Sequence, residues 1–105
     1  MKASVLFLVI APLASAWKLE LWGSDGRKVT MNGSRDTDCK NIDFSPVLNV
    51  NRAKFSPKTD WRPDPDTFEL YANKNCDKLS YRNDGGNYKM KARKIRSYKV
   101  KTSWL

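Results

Sequence analysis

Two cysteines, no histidine and a total of 20 lysines and arginines are what this 105-residue sequence offers for chemistry. Without histidine there is neither a Ser-His-Asp nor a Cys-His nucleophile, nor the imidazole acid/base pair of many small secreted ribonucleases. Cys39 and Cys76 lack the C-x-x-C spacing of a redox couple and the second ligand pair of a zinc site. Asp36 with Asp38, and Asp64 with Asp66, read as turn or solubilising acids rather than a cation site. A carboxylate pair for glycoside hydrolysis would have to come from a Pro-rich connector with no groove-building domain around it. No catalytic constellation is complete, so the expectation is a non-enzymatic protein with no metal and no cofactor.

Binding chemistry is better represented. Residues 74–105 hold ten basic and two acidic side chains, whereas residues 17–73 hold nine of each. Lys89, Lys91, Arg93, Lys94, Arg96, Lys99 and Lys101 occur with no acid among them, and these seven are the candidate site for an anionic partner. Tyr88 and Tyr98 are interleaved with them, a combination that suits nucleic acid, with cations on phosphates and rings on bases. The same pattern describes a strand whose aromatics are core and whose lysines are solvated. That reading is preferred for the tyrosines, which leaves nucleic acid a disfavoured partner.

The elements that position these residues begin after a leader. Lys2, the apolar run Val5–Leu13 and the small-residue end Ala14-Ser15-Ala16 have the form of a secretory signal peptide, cut between Ala16 and Trp17. The run is too short to span a bilayer, and no transmembrane segment is expected elsewhere. Residues 17–105 then form a single domain of 89 residues with net charge +8, expected to be monomeric. A domain of this size buries only about two-thirds of its unfolded surface. In an oxidising compartment Cys39 and Cys76 are expected to pair, for roughly 4 kcal/mol on the chain-entropy account. Asn32-Gly33-Ser34 is a glycosylation sequon in a polar stretch.

Helical periodicity is scarce, and short alternating runs parted by Gly, Asn, Asp and Pro predict an all-β domain. Trp17–Trp22 alternates, Gly23-Ser24-Asp25-Gly26 turns, and Arg27–Met31 returns, which is a hairpin. A polar loop is expected over Asn32–Lys40, followed by one or two short strands from Ile42, Phe44, Val47, Leu48 and Val50 with Pro46 at a corner. Residues 56–66 read as a Pro/Asp-rich connector anchored by Trp61. Strands are then expected at Phe68–Tyr71, Leu79–Arg82, Tyr88–Met90 and Ile95–Lys101. The halves, about 17–55 and 67–105, look like weak repeats: Glu20-Leu21-Trp22 and Val29-Thr30-Met31 answer Glu69-Leu70-Tyr71 and Leu79-Ser80-Tyr81. Two such units predict two Greek-key motifs forming one small β-sandwich. Its core is expected to draw on Leu19, Leu21, Val29, Phe44, Val50, Phe68, Leu70, Leu79, Ile95 and Val100.

The stretch FELYANKNCDKLSYRNDGGNYKMKARKIRSYKV resembles a βγ-crystallin Greek key, and the first half matches in outline. Lys78 departs from that pattern by standing where the hairpin glycine is expected. Microbial members of the family bind calcium through an acidic pair before an Ile-Ser/Thr-Ser run. The matching positions here are Ala92, Arg93, Lys94, Ile95, Arg96 and Ser97 in the second half and Val47, Leu48, Asn49, Val50, Asn51 and Arg52 in the first. The carboxylates are absent and arginines stand among them, so the resemblance implies that the calcium site is lost.

The leader, size, single cystine and basic charge also resemble the small secreted proteins of filamentous fungi, several of which act as effectors on hosts or as antimicrobial toxins. That resemblance implies a secreted, extracellular protein, with entry into host cells open to it. Its partner would be a host protein or an anionic surface, reached through the basic C-terminal face. The alternative it implies is a cationic toxin acting on membranes or cell walls.

Overall fold

The computed structural model describes residues 17–57 and 65–102. The leader, Trp61 and Trp104 lie outside the described residues. Eight strands run in chain order: β1 (Trp17–Gly23), β2 (Lys28–Gly33), β3 (Thr37–Asn41), β4 (Leu48–Pro57), β5 (Thr67–Asn73), β6 (Asp77–Asn83), β7 (Gly86–Ile95) and β8 (Ser97–Lys101), with one 3-10 turn at Lys74–Cys76. They form two four-stranded antiparallel sheets, β2-β1-β4-β7 and β3-β8-β5-β6. In each half the first strand lies between the second and the fourth, the returning connection of a Greek key, and the third strand crosses to the other sheet. β3 therefore belongs to the sheet of the second half and β7 to the sheet of the first. The protein is a small all-β sandwich, and no helix among the described residues is long and apolar enough to cross a membrane.

Local chemistry accounts for the β1–β2 hairpin. Gly26 has φ 94°, a left-handed value that suits glycine, and Asp25 accepts the Arg27 N–H through Oδ1 at 3.1 Å. The β5–β6 connection is costlier, because Asn75, Cys76 and Lys78 all have positive φ, with Lys78 at 71°.

Alternation along the strands sends Leu19, Leu21, Leu48, Val50, Ala53, Phe55, Phe68, Leu70, Ile95 and Val100 inward, where each is almost fully buried. Each large aliphatic or aromatic side chain buried in this way contributes about 1.5–3 kcal/mol. Phe55 and Phe68 join the sheets with ring centroids 5.3 Å apart, and Trp17, Tyr81 and Tyr88 extend that aromatic column. Val29 and Phe44 are only partly buried against the core.

Leu79 is a correction: it is 54% exposed. It lies opposite Tyr71 on the outer side of β6, because a bulge between Leu70 and Tyr71 shifts the register, while Tyr81 opposite Leu70 turns inward. The expected loop at Asn32–Lys40 contains a strand, β3, whose polar sequence hides its pairing with β8. Ile42 to Val47 form no strand and include the cis Ser45–Pro46 peptide. Finally, β7 runs unbroken from Gly86 to Ile95, longer than the expected Tyr88–Met90.

Cys39 and Cys76 are joined, with Cα atoms 5.8 Å apart. The bond ties β3 of the first half to the turn before β6 in the second, so it links the two repeats directly.

Candidate functional site

The outer face of the sheet β2-β1-β4-β7 carries the densest unneutralised charge among the described residues. Antiparallel partners share a face. Trp22 lies opposite Lys28 on one side and Arg52 on the other, and Arg52 lies opposite Lys89. Lys28, Trp22, Arg52 and Lys89 therefore form one row across all four strands, about 14 Å wide at the usual strand spacing. Lys18 and Lys54 follow by alternation on β1 and β4, and Lys91 and Lys94 on β7, where Tyr88, Met90 and Ile95 face the core. Seven cations thus share this face.

Glu20 is its one acid among the described residues. Lys28 Nζ lies 3.0 Å from Glu20 Oε2, and that hydrogen bond, with the charges of Lys28, Lys18 and Lys54, holds the carboxyl below its ordinary range against the opposing effect of burial. Trp22 fixes the middle of the row. Arg52 Cζ sits 4.2 Å and Lys28 Nζ 4.9 Å from its ring centroids, and Arg52 Nε donates to Asn87 Oδ1 at 3.1 Å. Stacking on the indole holds these two long side chains against the sheet and lowers the entropy that ligand binding would otherwise cost.

Of the seven cations picked out in the sequence, Lys89, Lys91 and Lys94 belong to this face and the other four do not. Arg93 reaches across to β6, donating from Nη1 to Ser80 O at 2.7 Å with its guanidinium 5.5 Å from the Tyr81 ring centroid. It fastens the edge of one sheet to the other. Arg96, in the break between β7 and β8, donates from Nη1 to Ala72 O at 2.8 Å. Lys99 and Lys101 lie on β8, in the opposite sheet. The chain crosses between sheets at Arg96, and a cluster that is continuous in sequence is split in space.

Lys18, Lys28, Arg52, Lys54 and Trp22 were not among the sequence candidates. They come from the half whose basic and acidic residues cancel in number. Apart from Glu20, the acids described in residues 17–57 sit elsewhere, Asp25 in a turn, Asp38 on β3, and Asp36 and Asp43 in loops. Counting charge by strand face rather than by segment would have found them, since Lys18, Glu20 and Trp22 alternate, as do Arg52 and Lys54.

The outer face of the other sheet is arranged differently. Glu69 occupies its middle with 8% of its side chain exposed, 3.5 Å from Arg82 Nε and 3.6 Å from Lys101 Nζ, with Lys99 opposite on β8. Tyr71 donates its hydroxyl to Glu69 Oε1. Burial first, and then this carboxylate, push the Tyr71 phenol up to about 12. The tyrosines interleaved with the basic run face inward. Tyr98 is buried, and the Tyr88 hydroxyl is held by Asp84 Oδ1 at 2.7 Å and Gly85 O at 2.8 Å. Neither ring is presented for base stacking.

Among the described residues no group of three or more His, Cys, Asp or Glu side chains could hold a metal ion. Asp36 instead accepts from the Thr102 hydroxyl at 2.7 Å and backbone N–H at 3.2 Å. Asn32 is exposed on β2. No protein-family profile, curated protein or solved structure matches the chain.

Proposed function

We propose that this is an exported, non-enzymatic, effector-like interaction protein, and that it engages an anionic partner, the acidic surface of a host protein, over the outer face of β2-β1-β4-β7. The observation that carries this reading is the ratio of seven cations to one paired acid on a rigid sheet face. Such a field speeds encounter with an acidic partner and repels basic ones. The leader-like N-terminus and the absence of histidine support export and a non-catalytic role. The 2-1-4 strand order in both halves supports a crystallin-like origin for the scaffold.

The reading is tested with two triple variants of equal net charge. Lys89→Glu, Lys91→Glu and Lys94→Glu reverse the proposed face, while Arg35→Glu, Lys40→Glu and Lys78→Glu place the same charge change elsewhere on exposed positions. Binding to an acidic host protein, measured at low and physiological salt, is expected to fall about a hundredfold for the first variant at low salt and far less for the second. Stability should change by no more than about 0.5 kcal/mol per site in either. Equal losses in the two variants would show that only net charge matters and would remove the face from consideration.

A further inference from the structure

At the end of the sandwich away from the Trp17–Phe55 aromatic column, the segment between β3 and β4 lines an open pocket of about 370 Å³. Its apolar lining is Ile42, Phe44 and Val47, and its charged lining is Arg96, Lys74 and Asp43. This volume and this mixture, an apolar body with a few convergent polar groups, are those of small-molecule sites. We infer that the pocket is a binding site for a small organic monoanion, a carboxylate on a compact aryl or short alkyl body.

The walls are held in place. Arg27 lies with Cζ 5.3 Å from the Phe44 ring centroid and donates to Val47 O at 3.4 Å, and the Ile42 N–H donates to Arg96 O at 2.9 Å. Asn41 accepts the Asn75 N–H through Oδ1 at 2.8 Å, which fastens the pocket's two rims beside the Cys39–Cys76 bond. The pocket is therefore largely preformed, which lowers the ordering cost of occupying it.

Charge selects the ligand class. Arg96 uses Nη1 on Ala72 O, and no other acceptor contacts its guanidinium among the described residues. Lys74 Nζ lies 3.3 Å from Asp43 Oδ1, in an exposed pair with 59% and 77% of the side chains accessible. A pair so exposed has little net stability and opens readily. Two cations against one carboxylate leave a single positive charge in excess, which matches one carboxylate better than a dianionic phosphate. Arg96 can meet that carboxylate with charge-assisted hydrogen bonds, while the ligand's apolar body covers the part-exposed Phe44 and Val47, with Ile42 buried behind them.

The site does not depend on the basic sheet face, so the two readings fail separately. The probe is 3-phenylpropionate, titrated into the intact disulfide-bonded protein and followed by amide chemical shifts. Saturable shifts are expected at Ile42, Phe44 and Val47, absent with acetate and at least about tenfold weaker with 3-phenylpropanol, which keeps the ring and loses the charge. Arg96→Gln should weaken binding by a similar factor. Because that change also removes the bond to Ala72, Asp43→Asn supplies the variant of opposite sign: it frees Lys74 and should tighten binding by a few-fold. Reversal of Lys89, Lys91 and Lys94 should leave the titration unchanged. Equal affinity for the acid and the alcohol, weaker binding by Asp43→Asn, or shifts that never saturate would overturn the site.

Discussion

Both outer faces of the sandwich present lysine and arginine, but the carboxylate each carries is placed differently. On β3-β8-β5-β6, Glu69 lies under Arg82, Lys99 and Lys101 and takes the Tyr71 hydroxyl as well. Its charge is applied at short range to more than one cation, and three cations to one acid leave a smaller positive excess than the seven to one of the other face. On β2-β1-β4-β7, Glu20 pairs with Lys28 at 3.0 Å, and the β7 lysines form no ion pair among the described residues. A face becomes attractive to anions through the placement of its acids, because Coulomb energy falls with distance and solvent screens the remainder within about 10 Å.

The strongest way to separate the faces is to remove the bond that braces only one of their sheets. Cys39→Ser with Cys76→Ser should lower stability by about 4 kcal/mol, read from denaturant midpoints, and speed amide exchange in β3 and at residues 74–76 before it does so in β1 and β4. Binding over the first face should persist wherever the variant is folded. Loss of binding in the folded variant would show that the faces are coupled.

Removing the central acid should make the second face resemble the first. Glu69→Ala leaves the Tyr71 hydroxyl without its acceptor and Arg82, Lys99 and Lys101 without their counter-ion, at an expected cost of about 2 kcal/mol. The variant should also gain affinity for an acidic partner, measured at low salt. Unchanged affinity would mean that Glu69 does not set the field of that face.

The opposite edit sharpens the first face. Glu20→Gln removes its one acid, and should tighten anion binding while costing no more than about 1 kcal/mol. Because the folded protein holds the Glu20 carboxyl below its ordinary value of 4.5, its contribution to stability is complete above that value. The contribution is lost as pH falls through the lowered folded value. The acid limb of a stability-against-pH curve should therefore flatten in Glu20→Gln, and an unchanged limb would assign acid sensitivity to other carboxyls.

At alkaline pH the contrast moves to the tyrosines. Tyr71 and Tyr88 are pushed up to about 12, in each case by burial first and then by a hydrogen bond to a neighbouring carboxylate, Glu69 or Asp84. The folded state binds these protons more tightly than the unfolded chain. Stability is thus whole below the ordinary phenol value of 10.0 and declines as pH climbs from there towards 12. Tyrosinate absorbance should show Glu69→Ala bringing one phenol back towards its ordinary value while Tyr88 stays raised. A titration curve that Glu69→Ala leaves untouched would place the cause of the Tyr71 shift in burial alone.

The all-β class, the pairing of repeats and most of the core were legible in period-two alternation, because Leu19, Leu21, Phe68, Leu70 and Val100 alternate with polar neighbours and turn residues bound each run. The cystine was legible for a different reason, since two cysteines allow one intramolecular pairing. Leu79 was misread because a bulge resets the alternation, and a bulge depends on the partner strand. β3 was missed because Thr37-Asp38-Cys39-Lys40-Asn41 has no apolar alternation of its own and is a strand by virtue of β8 beside it.

Sequence alone thus determined that the chain is basic, without histidine, and built to fold as sheet. Tertiary structure decided which cations act together. Side-chain direction alternates along a strand, and successive strands here cross between sheets, so the run from Lys89 to Lys101 is divided at Arg96. Lys18, Lys28, Arg52 and Lys54, distant in sequence, meet Lys89 on one surface through strand pairing. Charge is a property of the chain, but a field is a property of distances, and those are fixed only when the strands pair.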